Sequence, residues 1–233
     1  MGRVHFIGGE KGGVGKSLTA RLLAQYFIDR GETFVGFDLD KSHGTFSRFY
    51  SEFAASVDVD DFTSLDAIVA AAEAQPDVDI IVDLAAQTFS RLDKWIADGD
   101  IFALLNSLGC EVFLWHVMDD GADSLRLLDK LIAAYGQHDL QIVAVRNMGR
   151  GEDFSNFDSS ASYQQLQQRH AEVVTLAKLH TPLAQKIDFN NHSFWAAANS
   201  LSAMSTIERQ RVRVWLKAHN EQFDRFLGRS TEA

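Results

Sequence analysis

Residues 8 to 17, Gly8-Gly9-Glu10-Lys11-Gly12-Gly13-Val14-Gly15-Lys16-Ser17, have the composition of a loop that holds phosphate. Glycines at 12, 13 and 15 let successive main-chain N–H groups turn inward as an anion nest. A helix starting behind them adds the partial positive charge of its N-terminus. Lys16, in Gly-Lys-Ser, is spaced to reach β- and γ-phosphates, and the Ser17 hydroxyl to ligate Mg²⁺. Lys11 is the unexpected residue. At the start of the loop it points away from the phosphates beside it, so it needs another use. Glu10 stands where the strict G-x-x-x-x-G-K-[ST] pattern has its first Gly, which puts a carboxylate next to the phosphate site.

Such a loop works only between a strand and a helix. Residues 3–7 (Arg-Val-His-Phe-Ile) form a short apolar strand, and Leu18, Leu22, Leu23, Tyr26 and Phe27 repeat at helical spacing until Gly31 stops them. Strand-like and helix-like segments then alternate. Strands are predicted at residues 33–38, 79–83, 111–117, 140–145 and 173–176, and helices at 45–54, 64–74, 92–108, 124–135 and from 193 onward. The polar stretch 149–162 reads as a loop. Continuous apolar strands point to a parallel sheet covered on both faces. The expected fold is α/β, a doubly wound, mostly parallel sheet flanked by helices, with residues 1–233 as one domain. Ligands of such sheets gather beyond the carboxyl ends of the strands. Asp38, Asp40, Asp83 and Asn147 stand at those ends. An Asp-x-Asp also serves as a turn or cap, and Asn147 also suits a turn.

Lys11-Gly12-Gly13-Val14-Gly15-Lys16-Ser17 closely resembles the deviant Walker A loop, K-G-G-x-G-K-[ST], of the ParA/MinD family of P-loop ATPases, in the SIMIBI class. In that family the first lysine crosses a dimer interface to the nucleotide of the other subunit. Carried over to Lys11, the resemblance implies an ATP-sandwiched homodimer. It implies a nucleotide cradle of Gly12, Gly13, Val14, Gly15, Lys16, Ser17 and Leu18, with Asn147 against the adenine. It implies Mg²⁺ held by Ser17 and, through water, Asp83, with Asp38 in support and Asp40 orienting the attacking water. Lys11, Lys16 and Asp40 would carry the reaction. Leu84-Ala85-Ala86-Gln87-Thr88 would be the second switch, where Gln87 is either a γ-phosphate contact or a solvated amide. The [NT]-K-x-D signature that reads guanine is missing, which favours ATP. Three departures stand out: Glu10, Leu18 where many relatives have Thr or Ser, and Lys41-Ser42-His43-Gly44 where partition ATPases have Pro-Gln. His43 reads as a gate to the first switch or a solvated loop residue.

Composition narrows the setting. The single cysteine, Cys110, excludes an internal disulfide framework and reads as a buried thiol. Eight histidines lack any compact metal spacing. The chain runs from Met1 straight into a strand, and its apolar runs are too short to span a bilayer, so a cytoplasmic protein is expected. A formal charge of −10 opposes indiscriminate nucleic-acid binding. Near the C-terminus, Val212, Trp215, Leu216, His219, Phe223, Phe226 and Leu227 lie along one helical face. Arg209, Arg211, Arg213, Lys217, Arg225 and Arg229 surround them. This reads either as a covering helix with a solvated basic side or as a non-specific DNA contact. Membrane docking by the stripe is disfavoured because the stripe reads as buried.

These features support a slow ATPase switch that positions or partitions a cargo (a plasmid, a conjugation or mobilisation complex, or a surface apparatus) with a protein activator or adaptor. Two alternatives stand beside it: a nucleotide-binding adaptor with little turnover, and an ATP-dependent amidoligase-type biosynthetic relative.

Overall fold

The computed structural model describes residues 1–41 and 44–229. His43 lies outside them. In chain order the first half contains β1 (Arg3–Gly8), α1 (Lys16–Arg30), β2 (Phe34–Asp38), α2 (Thr45–Phe49), β3 (Ala54–Ser56), α3 (Phe62–Ala74), β4 (Asp79–Asp83), α4 (Phe89–Gly99) and α5 (Ile101–Ser107). The second half contains β5 (Glu111–Met118), α6 (Ala122–Tyr135), β6 (Gln141–Asn147), α7 (Ser155–Asp158), α8 (Ala161–Gln168), β7 (Glu172–Leu176), α9 (Thr181–Phe189), α10 (Phe194–Asn199) and α11 (Thr206–Leu227).

All seven strands are parallel, in the order β3-β2-β4-β1-β5-β6-β7. The chain winds outward from β1 to β3, returns to insert β4 beside β1, then crosses to β5. The crossing leaves a crevice at the carboxyl end of β1, where a doubly wound sheet binds its ligand. Strand side chains alternate between two cores. Val4, Phe6, Val82 and Leu114 pack with residues of α3, α4, α5 and α6, while Ile7, Ile81, Phe113 and Trp115 pack with α1, α9, α10 and α11. The predicted C-terminal stripe faces the second core: Val212, Trp215, Leu216, His219, Phe223 and Leu227 are all buried. Cys110 is a buried free thiol, as expected.

Three predicted elements differ. The single helix at 45–54 is the short α2 followed by the edge strand β3. Gly36 explains the break: a Cβ there would sit 2.7 Å from the Phe46 ring and 2.8 Å from Ala54, so β2 admits both a helix side chain and a strand neighbour. The helix at 92–108 is split into α4 and α5 by Asp100, whose φ of 44° is left-handed. The loop at 149–162 holds the one-turn α7, a local feature without apolar periodicity. Among the described residues, no helix is long and apolar enough to cross a membrane.

The amino end of the sheet is closed by buried charge. Arg3 donates to both oxygens of Asp79 (2.6 and 3.0 Å) and to Leu227 O at the end of α11 (2.6 Å). Arg229 adds a bond to Asp79 at 3.2 Å. Breaking such a pair from one side strands the other charge. Arg3→Ala is therefore expected to cost about 3 kcal/mol or more in urea unfolding, and a loss under about 1 kcal/mol would refute this clasp. Burial also holds the imidazoles of His5, His116 and His219 below their usual range, near 4 for His116. The unfolded chain takes up protons at these sites first, so the contribution of these imidazoles is complete above pH 6.5 and is lost as pH drops below it. His219→Gln should flatten the acid side of a Tm–pH profile.

Candidate nucleotide site

β1 delivers its carboxyl end to the glycine loop and α1 leaves from it. Gly9, Gly13 and Gly15 have φ of 137°, 78° and 109°. Gly15 has no room for a side chain, since a Cβ would lie 2.2 Å from Asn147 Nδ2. Gly15 is also the N-cap of α1 and gives it no side-chain cap, and the first turn carries no acid. The first N–H groups of α1 therefore remain available to an anion.

Lys16 is buried, and its Nζ donates to Lys11 O at 3.2 Å. Burial lowers the ammonium pKa, while the carboxylates of Asp83 and Asp40 oppose that loss. Asp83 ends β4 in register with Asp38 at the end of β2, which places two buried acids on adjacent strands. Neither Asp83 oxygen has a hydrogen bond of good geometry. Burial pushes its pKa up to about 8, and Asp38 and Asp40 push the same way; the nearby Ser17 hydroxyl and Lys16 oppose them. A buried carboxyl whose oxygens lack a good hydrogen bond, set beside a hydroxyl and an ammonium, fits a metal ligand.

Asp38 is already committed to its own loop. One oxygen accepts from Asp40 N at 3.0 Å, and the other from Ser47 N at 2.9 Å and Ser47 Oγ at 3.1 Å. It thereby fixes the main chain that carries Asp40 and starts α2. Asn147 is buried and similarly engaged: Nδ2 donates to Val14 O at 2.7 Å and Oδ1 accepts from Gly149 N at 2.9 Å. One N–H and one lone pair remain for a base edge. Leu18 and Asn147 line a cavity of about 270 Å³ with Gly149, Arg150, Lys178 and Leu179, beside the loop. Glu10 borders a separate apolar cavity of about 170 Å³ between β1, α4 and α6, lined by Phe6, Phe89, Leu92 and Leu131. Gln87 is exposed, in a left-handed conformation with φ of 62°.

Lys11 turns away from the cradle to the β5–α6 connection. Its Nζ lies 2.5 Å from Asp119, whose other oxygen accepts from Gly121 N at 3.1 Å and Ser124 Oγ at 2.7 Å. Asp119 closes a turn onto Gly121, bonds the Ser124 hydroxyl at the start of α6 and also receives Lys11. Its position at the end of the strand next to β1 was the available signal.

The family description "CobQ/CobB/MinD/ParA nucleotide binding domain" matches residues 5–199. The chain belongs to that family. Protein MobD of Acidithiobacillus ferrooxidans is 25% identical over 217 residues, covering 90% of this chain and 92% of its own. Protein TraL of Escherichia coli is 29% identical over 126 residues, about half of each chain (52%). Among solved structures, the fold is similar to that of the septum site-determining protein MinD complexed with Mg-ADP from Pyrococcus horikoshii OT3 (TM-score 0.55, 16% identity, 98% of both chains). It is also similar to the MinC:MinD cell division protein complex of Aquifex aeolicus (TM-score 0.54, 13% identity, 99% and 98% covered). The seven-stranded parallel sheet flanked by helices is thus a MinD-like P-loop fold.

The orphaned carboxylate carries a prediction. Burial pushes the Asp83 pKa up to about 8, so folding at pH 7 takes up a proton that Asp83→Asn makes unnecessary; the substitution should raise stability by about 1 kcal/mol or more at pH 7 and by little near pH 4. The same substitution should abolish the extra stabilisation that Mg²⁺ gives on top of ATP in thermal melts. A destabilised Asp83→Asn protein that still responds to Mg²⁺ would count against a metal role.

Proposed function

We propose that this chain is an ATPase switch of one domain, residues 1–233, that closes as a homodimer around two ATP molecules and hydrolyses them slowly. The observation that carries the reading is the division of labour between the two lysines. Lys16 is buried behind the loop facing Asp83, while Lys11 sits on the open flank, held by an ion pair with Asp119. A lysine outside its own cradle suits a role on a neighbour's phosphates.

The residues fit the absent groups. Main-chain N–H groups of Gly12, Gly13, Val14 and Gly15, with Lys16, would hold the phosphates, and Leu18 and Asn147 would border the base. Ser17 and Asp83 would hold Mg²⁺, with Asp38 and Asp40 behind them. Mg²⁺ keeps several waters and takes phosphate oxygens, so few protein ligands suffice. Bound Mg²⁺ would neutralise charge on the β- and γ-oxygens. Asp40, on a loop fixed by Asp38, would orient the attacking water, and a neighbour's Lys11 would stabilise charge on the transferred group. The cargo is a plasmid, a conjugation or mobilisation complex, or a surface apparatus, in the cytoplasm, with a protein activator or adaptor. Near-complete coverage of MobD supports a shared chain plan.

DNA contact through α11 is the weaker partner reading, because basic groups on it and just after it are partly spent. Arg229 binds Asp79 and two main-chain carbonyls, and Arg213 reaches Asn199.

Asp40→Ala is expected to keep ATP affinity and lower turnover at least tenfold; equal turnover in both proteins would sink the enzyme reading. With ATP and Mg²⁺, sizing should show Asp40→Ala as a dimer and Lys11→Ala as a monomer. Asp119→Asn frees Lys11 from its own chain. An exposed ion pair is worth about 1 kcal/mol or less, so the dimer should form at up to about fivefold lower protein concentration.

A further inference from the structure

We propose that the cavity between β1, β5, α4 and α6 binds a small aromatic molecule that carries a hydroxyl or N–H donor. Strand alternation creates the space. β1 turns Val4 and Phe6 onto the face covered by α4 and α6, and the next residue on that face is Gly8, which has no side chain. β5 turns Leu114 and then His116 onto the same face, with Leu114 in register with Phe6 and His116 with Gly8. Leu84, just past β4, closes over this position, since a Cβ on Gly8 would lie 3.4 Å from its Cδ1. What remains is a space of about 170 Å³, walled by Phe89 and Leu92 of α4 and by Leu131 of α6.

The polar groups on the lining set what the ring must carry. His116 is 2% exposed. Its Nε2 lies 2.9 Å from Ser124 O, which can only accept, so Nε2 carries the proton and donates. Burial keeps the imidazole neutral by lowering its pKa to about 4. Nδ1 is then a lone-pair acceptor, with no hydrogen bond to any of the described residues. Polar groups inside proteins are nearly always paired, so a buried acceptor of this kind calls for a donor. Glu10, on the same lining, is a second acceptor by type, and the Tyr135 hydroxyl already donates to Asp93. Lys130 borders the cavity too, but it is exposed, and such side chains keep their ammonium in water.

Size decides the class of occupant. An apolar cavity of about 150 Å³ takes benzene, so this one has room for a single ring and not for a nucleoside or an acyl chain. Among the described residues, none of the large apolar side chains exposed to solvent borders the cavity, so a macromolecule would find no apolar rim there. The site also shares no lining residue with the cavity of Leu18 and Asn147. Its occupant would instead rest on Gly8, Gly9 and Glu10, where β1 enters the phosphate loop, and on Leu84, the residue after Asp83.

The test titrates the full chain with phenol and with toluene, which share a ring and differ in the donor, and follows binding by calorimetry and methyl NMR. Phenol is expected to bind and to shift the methyl signals of Leu84, Leu92, Leu114 and Leu131, while those of Leu18 and Leu179 in the other cavity stay in place. His116→Leu removes the acceptor at similar volume. Phenol should bind it about fivefold more weakly, with toluene affinity unchanged. Leu131→Phe fills the space and should weaken both ligands about tenfold or more. Thermal melts check that each variant is folded, and Leu127→Phe, half-buried on the same wall, serves if Leu131→Phe melts early. No phenol binding, or shifts confined to Leu18 and Leu179, would overturn the proposal. So would a phenol-over-toluene preference that His116→Leu leaves unchanged. None of these readouts requires ATP, dimerisation or turnover, so they stand apart from the ATPase reading.

Discussion

A buried carboxylate without a partner is the constraint around which this molecule is arranged. Asp83 ends a central strand, beside Asp38 on the next, and the fold keeps both out of water. Burying unpaired charge is expensive, and the group raises its pKa toward neutrality instead. Everything nearby either tolerates that charge or supplies its opposite. Lys16 is held inside at the expense of its own proton affinity, and Ser17 sits alongside. The glycine loop and the open start of α1 add oriented N–H groups. Oriented N–H groups beside a buried carboxyl and a hydroxyl fit the chemistry of a metal–nucleotide pair.

The two ends of the sheet are built on opposite principles. At the amino ends, Arg3, Asp79, Leu227 O and Arg229 satisfy one another in a compact set of charge-assisted bonds that ties the last helix to the first strand. At the carboxyl ends, polar groups are buried with spare capacity. A closed amino end supplies rigidity that lets the carboxyl end stay electrostatically unfinished. Marginal net stability makes this balance necessary, since one uncompensated charge is a sizeable share of the total.

How much of this the sequence discloses depends on the range of the interaction. The loop, the strand before it and the helix after it are local, and the pattern of glycines, lysines and apolar residues reads directly. The acids at strand ends could be found because a parallel sheet gathers strand ends in one place. What each acid does there was not legible. Asp38 and Asn147 look like ligands in the sequence, yet their side chains are engaged with nearby main chain, Asp38 with residues 40 and 47, Asn147 with residues 14 and 149. The Lys11–Asp119 pair joins residues 108 apart and depends on β5 lying next to β1, a fact of topology. The division of 45–54 into helix and strand rests on Gly36, whose missing side chain matters only once Phe46 and Ala54 are known to converge on it.

The second lysine gains meaning from this contrast. An ammonium inside the cradle would compete with Lys16 for the same carboxylates and phosphates. On the flank, Lys11 meets a carboxylate that is itself anchored by a main-chain N–H and a serine hydroxyl, so Asp119 cannot follow if Lys11 leaves. The pair is partly exposed, and its net worth is therefore small. A contact of that strength can orient a side chain without committing it. It holds Lys11 extended along the surface in a single direction, reducing the entropy lost on meeting a second anion, while costing little to exchange. A rigid acceptor and a weak bond together make a lysine that is positioned but still available.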